Sequence, residues 1–163
     1  MKIVFLDIDG VLNCARTPNP RKLPYIVDKK LLKRLLRVTR ACRAKIVLTS
    51  SWRVDPIGLY AAKYWGIPFV DVCPDLPDRS RREEITRWLR KNPKVNRFAV
   101  LDDEDDDLDG LPLFQPSSAT GLCADVAKGL KRFLEGKTDC DMRASGARRA
   151  IQKLKAVFER DKN

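Results

Sequence analysis

Apolar runs and helically spaced apolar positions alternate along this chain. Lys2 to Leu6 is rich in β-formers and breaks off at Asp7-Ile8-Asp9-Gly10, so it reads as a buried strand. Residues 13–27 carry Pro18, Pro20 and Pro24 and are expected to be loop. Asp28 is placed to cap a helix with Leu31, Leu32, Leu35, Leu36 and Cys42 on one face and Lys and Arg on the other. Lys45 to Thr49 reads as a second strand, running into Ser50-Ser51-Trp52-Arg53. Asp55-Pro56 starts a short helix that Gly66 closes near Trp65. Phe69 to Val72 is a third strand. Ser80 and Glu83 make a capping box, so the next helix begins at Arg81, passes Trp88 and Leu89, and stops at Asn92-Pro93. Phe98 to Leu101 is a fourth strand ending at Asp102-Asp103, and Leu113-Phe114 a short fifth. Ala124 to Leu134 is helical up to Gly136. Residues 137–143 read as a linker, and Ala144 to Glu159 as a last helix with Ile151, Leu154, Val157 and Phe158 on one face.

Strands that alternate with helices predict an α/β fold, with a mainly parallel sheet covered on both faces and a ligand site at the carboxyl ends of its strands. Three strands end in polar groups: Asp7/Asp9, Thr49/Ser50 and Asp102/Asp103. These clusters should meet at one edge of the sheet. A chain of 163 residues suits one domain.

Composition narrows the chemistry. With 44% apolar residues the chain is not disordered, and no apolar run approaches the roughly 18 residues of a membrane span. The opening residues lack the pattern of a signal peptide, so a soluble, cytoplasmic protein is expected. The five cysteines form no CxxC pair and are expected to be reduced thiols. The absence of histidine removes Ser-His, Cys-His and His-zinc chemistry. Acid/base work then falls to carboxylates, Lys, Tyr, Cys or a metal-bound water.

Charge changes the picture further. The formal net charge is +11, unevenly spread. Residues 14–45 hold eleven Lys/Arg and one acid, whereas residues 102–109 hold seven acids and no base. A basic body around an acidic spot points to a polyanionic partner and a bound cation.

The strand ends carry the candidate chemistry. Asp7 and Asp9 project to the same side, and two carboxylates this close repel unless a cation or proton lies between them. One can attack phosphorus while the other moves protons. Gly10 allows a sharp turn and close approach to a ligand. The Ser50 hydroxyl and the Arg53 guanidinium are candidate phosphate contacts. A cation at Arg81 opposes its own helix dipole but suits an anion, and Arg79 and Arg82 compete for the same role. Asp102 and Asp103 are oxygen ligands suited to Mg²⁺ rather than zinc. Asp105 to Gly110 imitates the front of a calcium loop, but Pro116 stands where the closing Glu belongs.

Together these segments resemble the haloacid dehalogenase (HAD) superfamily of phosphotransferases. Leu6-Asp7-Ile8-Asp9-Gly10-Val11 resembles its first motif, Val47-Leu48-Thr49-Ser50 its second, and Arg81 its third. Leu101-Asp102-Asp103, with Asp106 or Asp107, resembles its fourth. The resemblance implies a three-layer Rossmann-like core over residues 1–136 with a minimal cap, because residues 14–27 and 54–79 are short. Residues 137–163 would be a linker and a basic helix. It implies that Asp7 attacks the phosphoryl group, Asp9 acts as acid and base, and Ser50 and the Arg81 region bind phosphate. Mg²⁺ would be held by Asp7, the Asp9 carbonyl, and Asp102 or Asp103. An open site with basic surroundings is similar to the 3′-phosphatase domains of polynucleotide repair enzymes, so DNA or RNA ends are the expected substrate of a monomer or weak dimer. A phosphoprotein or small phosphometabolite is the alternative substrate. A non-catalytic, Mg²⁺-stabilised nucleic-acid-binding module is the alternative of another class.

Overall fold

Side chains alternate across β1 (Lys2–Leu6), and that alternation divides the core in two. Val4 and Leu6 join one buried cluster, Ile3 and Phe5 the other, and all four are fully buried. A strand buried on both faces belongs at the centre of a parallel sheet. The computed structural model describes residues 1–105 and 107–137, and in it the strand order is β3-β2-β1-β4-β5, every pairing parallel. The other strands are β2 (Ala44–Leu48), β3 (Phe69–Val72), β4 (Arg97–Leu101) and β5 (Leu113–Phe114).

Helices cover both faces, as expected of three layers. On one face α1 (Lys29–Cys42), α2 (Pro56–Tyr64) and α4 (Ala124–Glu135) supply Leu31, Leu35, Ala62, Leu130 and Leu134 to the first cluster. On the other, α3 (Arg81–Lys91) supplies Ile85, Trp88 and Leu89, with Phe5 set edge-on to Trp88 at 5.4 Å. Local chemistry fixes the ends. Asp28 accepts from the Lys30 amide, Asp55 from that of Ile57, and Ser80 and Glu83 form the reciprocal box at α3.

Register positions the site. Leu6 lies level with both Leu48 and Leu101, so Asp7, Thr49 and Asp102 come next at the same height. The Asp7 amide donates to the Leu101 carbonyl at 2.9 Å, and the Thr49 amide to the Leu6 carbonyl at 2.9 Å. The chain leaves β1 toward β2 on one side and returns to β4 on the other. This is the reversal of strand order where α/β proteins bind ligands.

The sequence does not announce the 3₁₀ turn Ser51–Arg53, which Ser50 caps. Asp106, all but the first residue of the linker expected at 137–143, and the last helix expected at Ala144 to Glu159 lie outside the described residues. The four described cysteines are free thiols. Among the described residues no helix is long and apolar enough to cross a membrane.

Candidate active site

Three carboxylates from two strand ends converge. Asp7, Asp102 and Asp103 each offer an oxygen, all within 4.8 Å of one another. Asp7 and Asp102 are buried and Asp103 is half-buried. Burial, then the charge of Asp102, pushes the Asp7 carboxyl up to about 7, against the pull of Arg81. Burial also raises Asp103. Buried carboxylates in such a group need a cation or a proton among them, and an all-oxygen donor set of this size suits a hard divalent ion. The site therefore fits the metal that the sequence leads one to expect.

Gly10 makes this convergence possible. Its φ is +66°, and a Cβ there would lie 2.0 Å from an Asp103 carboxylate oxygen. Only glycine lets Asp103 close on the turn after β1.

The Asp9 carboxylate stands outside the cluster of three. It is exposed, and two side chains aim it: Asn13 Nδ2 donates to Oδ1 at 2.7 Å and Trp52 Nε1 to Oδ2 at 2.8 Å. Asn13 Oδ1 also accepts from the Gly10 amide at 3.0 Å. Thus Asp7 lies in the group of three carboxylates while Asp9 is held by neutral donors and reaches solvent. This is a division suited to nucleophile and proton carrier.

Of the three candidate arginines, the structure brings Arg81 to the site. Its Nη1 bonds the Asp102 carboxylate and lies 3.6 Å from Asp7 Oδ1. Arg79 instead pairs with Glu83 at 3.2 Å on the surface, and Arg82 is exposed. The signal was in the helical phase: Arg81 lies four residues before Ile85 and seven before Trp88, on the buried face.

Arg53, the other arginine expected at phosphate, is engaged within the protein. Its Nη2 pairs with the buried Glu84 at 2.6 Å, its Nε donates to the Cys73 carbonyl at 3.2 Å, and its Nη1 donates to the Thr49 and Ser50 carbonyls. Its donors bind the turn after β2 to α3 and are engaged within the protein. Ser50 is fully buried, with its hydroxyl at the Trp52 amide at 3.4 Å. Beside it the Thr49 hydroxyl is fully buried without a hydrogen-bond partner among the described residues. A cavity of about 390 Å³ adjoins Asp102, walled by Ser51, Arg53, Arg81, Glu84 and Glu104.

Sequence reasoning missed Asn13, Trp52 and Glu84 as parts of the site. Each acts on a partner across a turn or on another element, and the only local hint was that Trp52 follows directly on the Thr49-Ser50-Ser51 strand end.

A family model described as the HAD domain in Swiss Army Knife RNA repair proteins matches residues 3–127. No match was found among curated proteins or solved structures.

Proposed function

The chain belongs to the family of HAD domains in Swiss Army Knife RNA repair proteins, and from that premise we propose that it is an Mg²⁺-dependent phosphomonoesterase acting on phosphorylated nucleic-acid ends. The observation that carries the reading is the division of labour between the first two aspartates. Asp7 sits with Asp102, Asp103 and Arg81 at the sheet edge, and Asp9 is aimed separately by Trp52 and Asn13.

In this reading Asp7 Oδ attacks the phosphorus and the bond to the leaving oxygen breaks. Asp9 gives that oxygen its proton, leaving an aspartyl-phosphate. Asp9 then takes a proton from water as the water attacks phosphorus, and Asp7 is released with inorganic phosphate. Arg81, already paired with Asp7 and Asp102, faces the charge of the transferring group. The hydroxyls of Thr49 and Ser50 are the strand-end donors for phosphate oxygens, and a phosphate oxygen would give Thr49 the partner it lacks. Asp7, Asp102 and Asp103 would hold the Mg²⁺, which supplies charge neutralisation and polarises a phosphoryl oxygen. Arg53 supports the site without touching phosphate.

The test is phosphate release from a 3′-phosphorylated RNA oligonucleotide and from a small chromogenic phosphomonoester, each with Mg²⁺ or EDTA. Both activities should vanish with EDTA and in Asp7→Asn, and fall by about 10²-fold or more in Asp9→Asn. Preference for the oligonucleotide supports nucleic-acid ends. Hydrolysis of the small ester alone would move the substrate to metabolites. No turnover of any phosphomonoester would return the protein to a binding module.

A further inference from the structure

An exposed aromatic row on α2 leads away from Asp9. Ile57, Tyr60 and Tyr64 occupy positions i, i+3 and i+7 and share one face of the helix. They are 66%, 71% and 75% exposed. Two tyrosines and an isoleucine presented together on one helix face form an exposed apolar patch, in which Tyr64 also meets the edge of Trp65.

The opposite face of α2 fixes where that row stands. Gly58 and Ala62 are buried there, and a Cβ at Gly58 would lie 2.6 Å from the Trp52 carbonyl oxygen and 2.9 Å from its Cα. Glycine lets α2 rest directly on the turn whose indole holds Asp9. Two ring contacts and a hydrogen bond span the same gap. Tyr25 stands edge-on to Trp52 at 4.8 Å, Trp65 Nε1 donates to the Tyr25 carbonyl at 3.2 Å, and Tyr64 stands edge-on to Trp65 at 5.8 Å. The Tyr25 hydroxyl also bonds Asp55, the cap of α2. Contact by contact, aromatic groups therefore run from the Asp9 carboxylate to open solvent. The same two segments carry exposed cations: Lys63 on α2, and Arg16, Arg21 and Lys22 in the loop before Tyr25.

We propose that Tyr60 and Tyr64 are a stacking platform for the bases of a single-stranded nucleic acid whose phosphorylated end lies at Asp7. The proposal rests on the reading of the site as a nucleic-acid end phosphatase and deepens it. Flat, rigid tyrosine rings suit any base, since every base has a π face, and the exposed Lys63 between the two tyrosines suits the backbone between bases. The net charge of +11 favours a polyanion over an acid-poor protein surface as the occupant.

The test uses the full chain and a dye-labelled single-stranded RNA, with binding read by anisotropy in EDTA. It also measures kcat/KM for a 3′-phosphorylated oligonucleotide and for a small chromogenic phosphomonoester with Mg²⁺. Tyr60→Ala and Tyr64→Ala should each weaken RNA binding and oligonucleotide kcat/KM by about ten-fold, leaving the small ester unchanged. Tyr64→Trp should bind like the wild type, whereas Tyr64→Leu should bind like Tyr64→Ala. Wild-type RNA binding in both alanine variants would overturn the platform while leaving the nucleic-acid reading intact. Full recovery with Leu would overturn it in favour of an apolar docking face for a protein or a second copy. A wild type that hydrolyses the small ester but neither binds nor hydrolyses the oligonucleotide would overturn both.

Discussion

Asp7 is a carboxyl group placed where its own charge is disfavoured, and that placement has a measurable signature. Its folded value of about 7 lies above the ordinary 3.8, so the folded protein keeps a proton that the unfolded chain has already released. Unfolding then releases a proton between these values, and the group's contribution to stability is present below about pH 4 and lost as pH rises toward 7. In EDTA, Asp7→Asn should match the wild type near pH 4 and exceed it near pH 8. The gap should grow by about 1.4 kcal/mol for each unit crossed, as an upper limit, and urea melts at the two pH values will show it. Mg²⁺ should close the gap by stabilising the wild type, because a cation among three carboxylates favours their charged forms. Gly10 supports the same group by geometry. Gly10→Ala puts a methyl where the Asp103 carboxylate lies and strains a backbone at φ +66°. Calorimetric titration with Mg²⁺ should then show affinity lower by about ten-fold or more, with a folded protein by circular dichroism.

Among elements, the coupling between the 3₁₀ turn and α3 holds Ser50 and Arg81, the groups proposed to bind phosphate, in register. Arg53 and Glu84 are both buried, and Glu84 also accepts from the Leu76 amide at 3.1 Å. Removing one partner leaves an uncompensated buried charge, so Glu84→Ala should cost about 3–5 kcal/mol in chemical denaturation. The double variant Arg53→Met, Glu84→Met should recover part of that loss. Its KM should still rise, because Ser50 and Arg81 sit on the two elements the pair joins. The elements themselves were readable from sequence, because their signals are local: the capping box at Ser80/Glu83, the Asp55-Pro56 start and the alternation along β1. Arg53–Glu84 was not readable. Its partners lie 31 residues apart, and an arginine after a strand looks the same whether it faces phosphate or a buried glutamate. Strand-end carboxylates announced themselves because paired acids directly after two apolar strands point to chemistry, whereas Asn13 and Trp52 are ordinary residues until the fold brings them to Asp9.

At the scale of the whole molecule, charge is sorted by surface. Exposed Lys29, Lys30, Lys33, Arg37 and Arg40 line the outside of α1 on one face of the sheet, and Arg82, Arg87, Arg90 and Lys91 line α3 on the other. Carboxylates gather instead at the carboxyl edge between them. Composition alone gave the sign and size of the imbalance, but only the sheet order shows that both basic faces border one acidic mouth. Such a field favours an anionic chain along the body, which is the arrangement the proposed substrate requires. The two substrate classes should therefore separate under salt. For an oligonucleotide, log(kcat/KM) should fall linearly with log[salt], with a slope of about 0.7 for each backbone phosphate neutralised. A small phosphomonoester meets the same catalytic groups without the long contact, so its slope should be shallow. Charge reversal at Arg37 and Arg40, or at Arg87 and Arg90, should flatten the oligonucleotide line when that face carries the backbone and leave it unchanged when it does not. The pair of slopes thus identifies which side of the sheet the strand crosses.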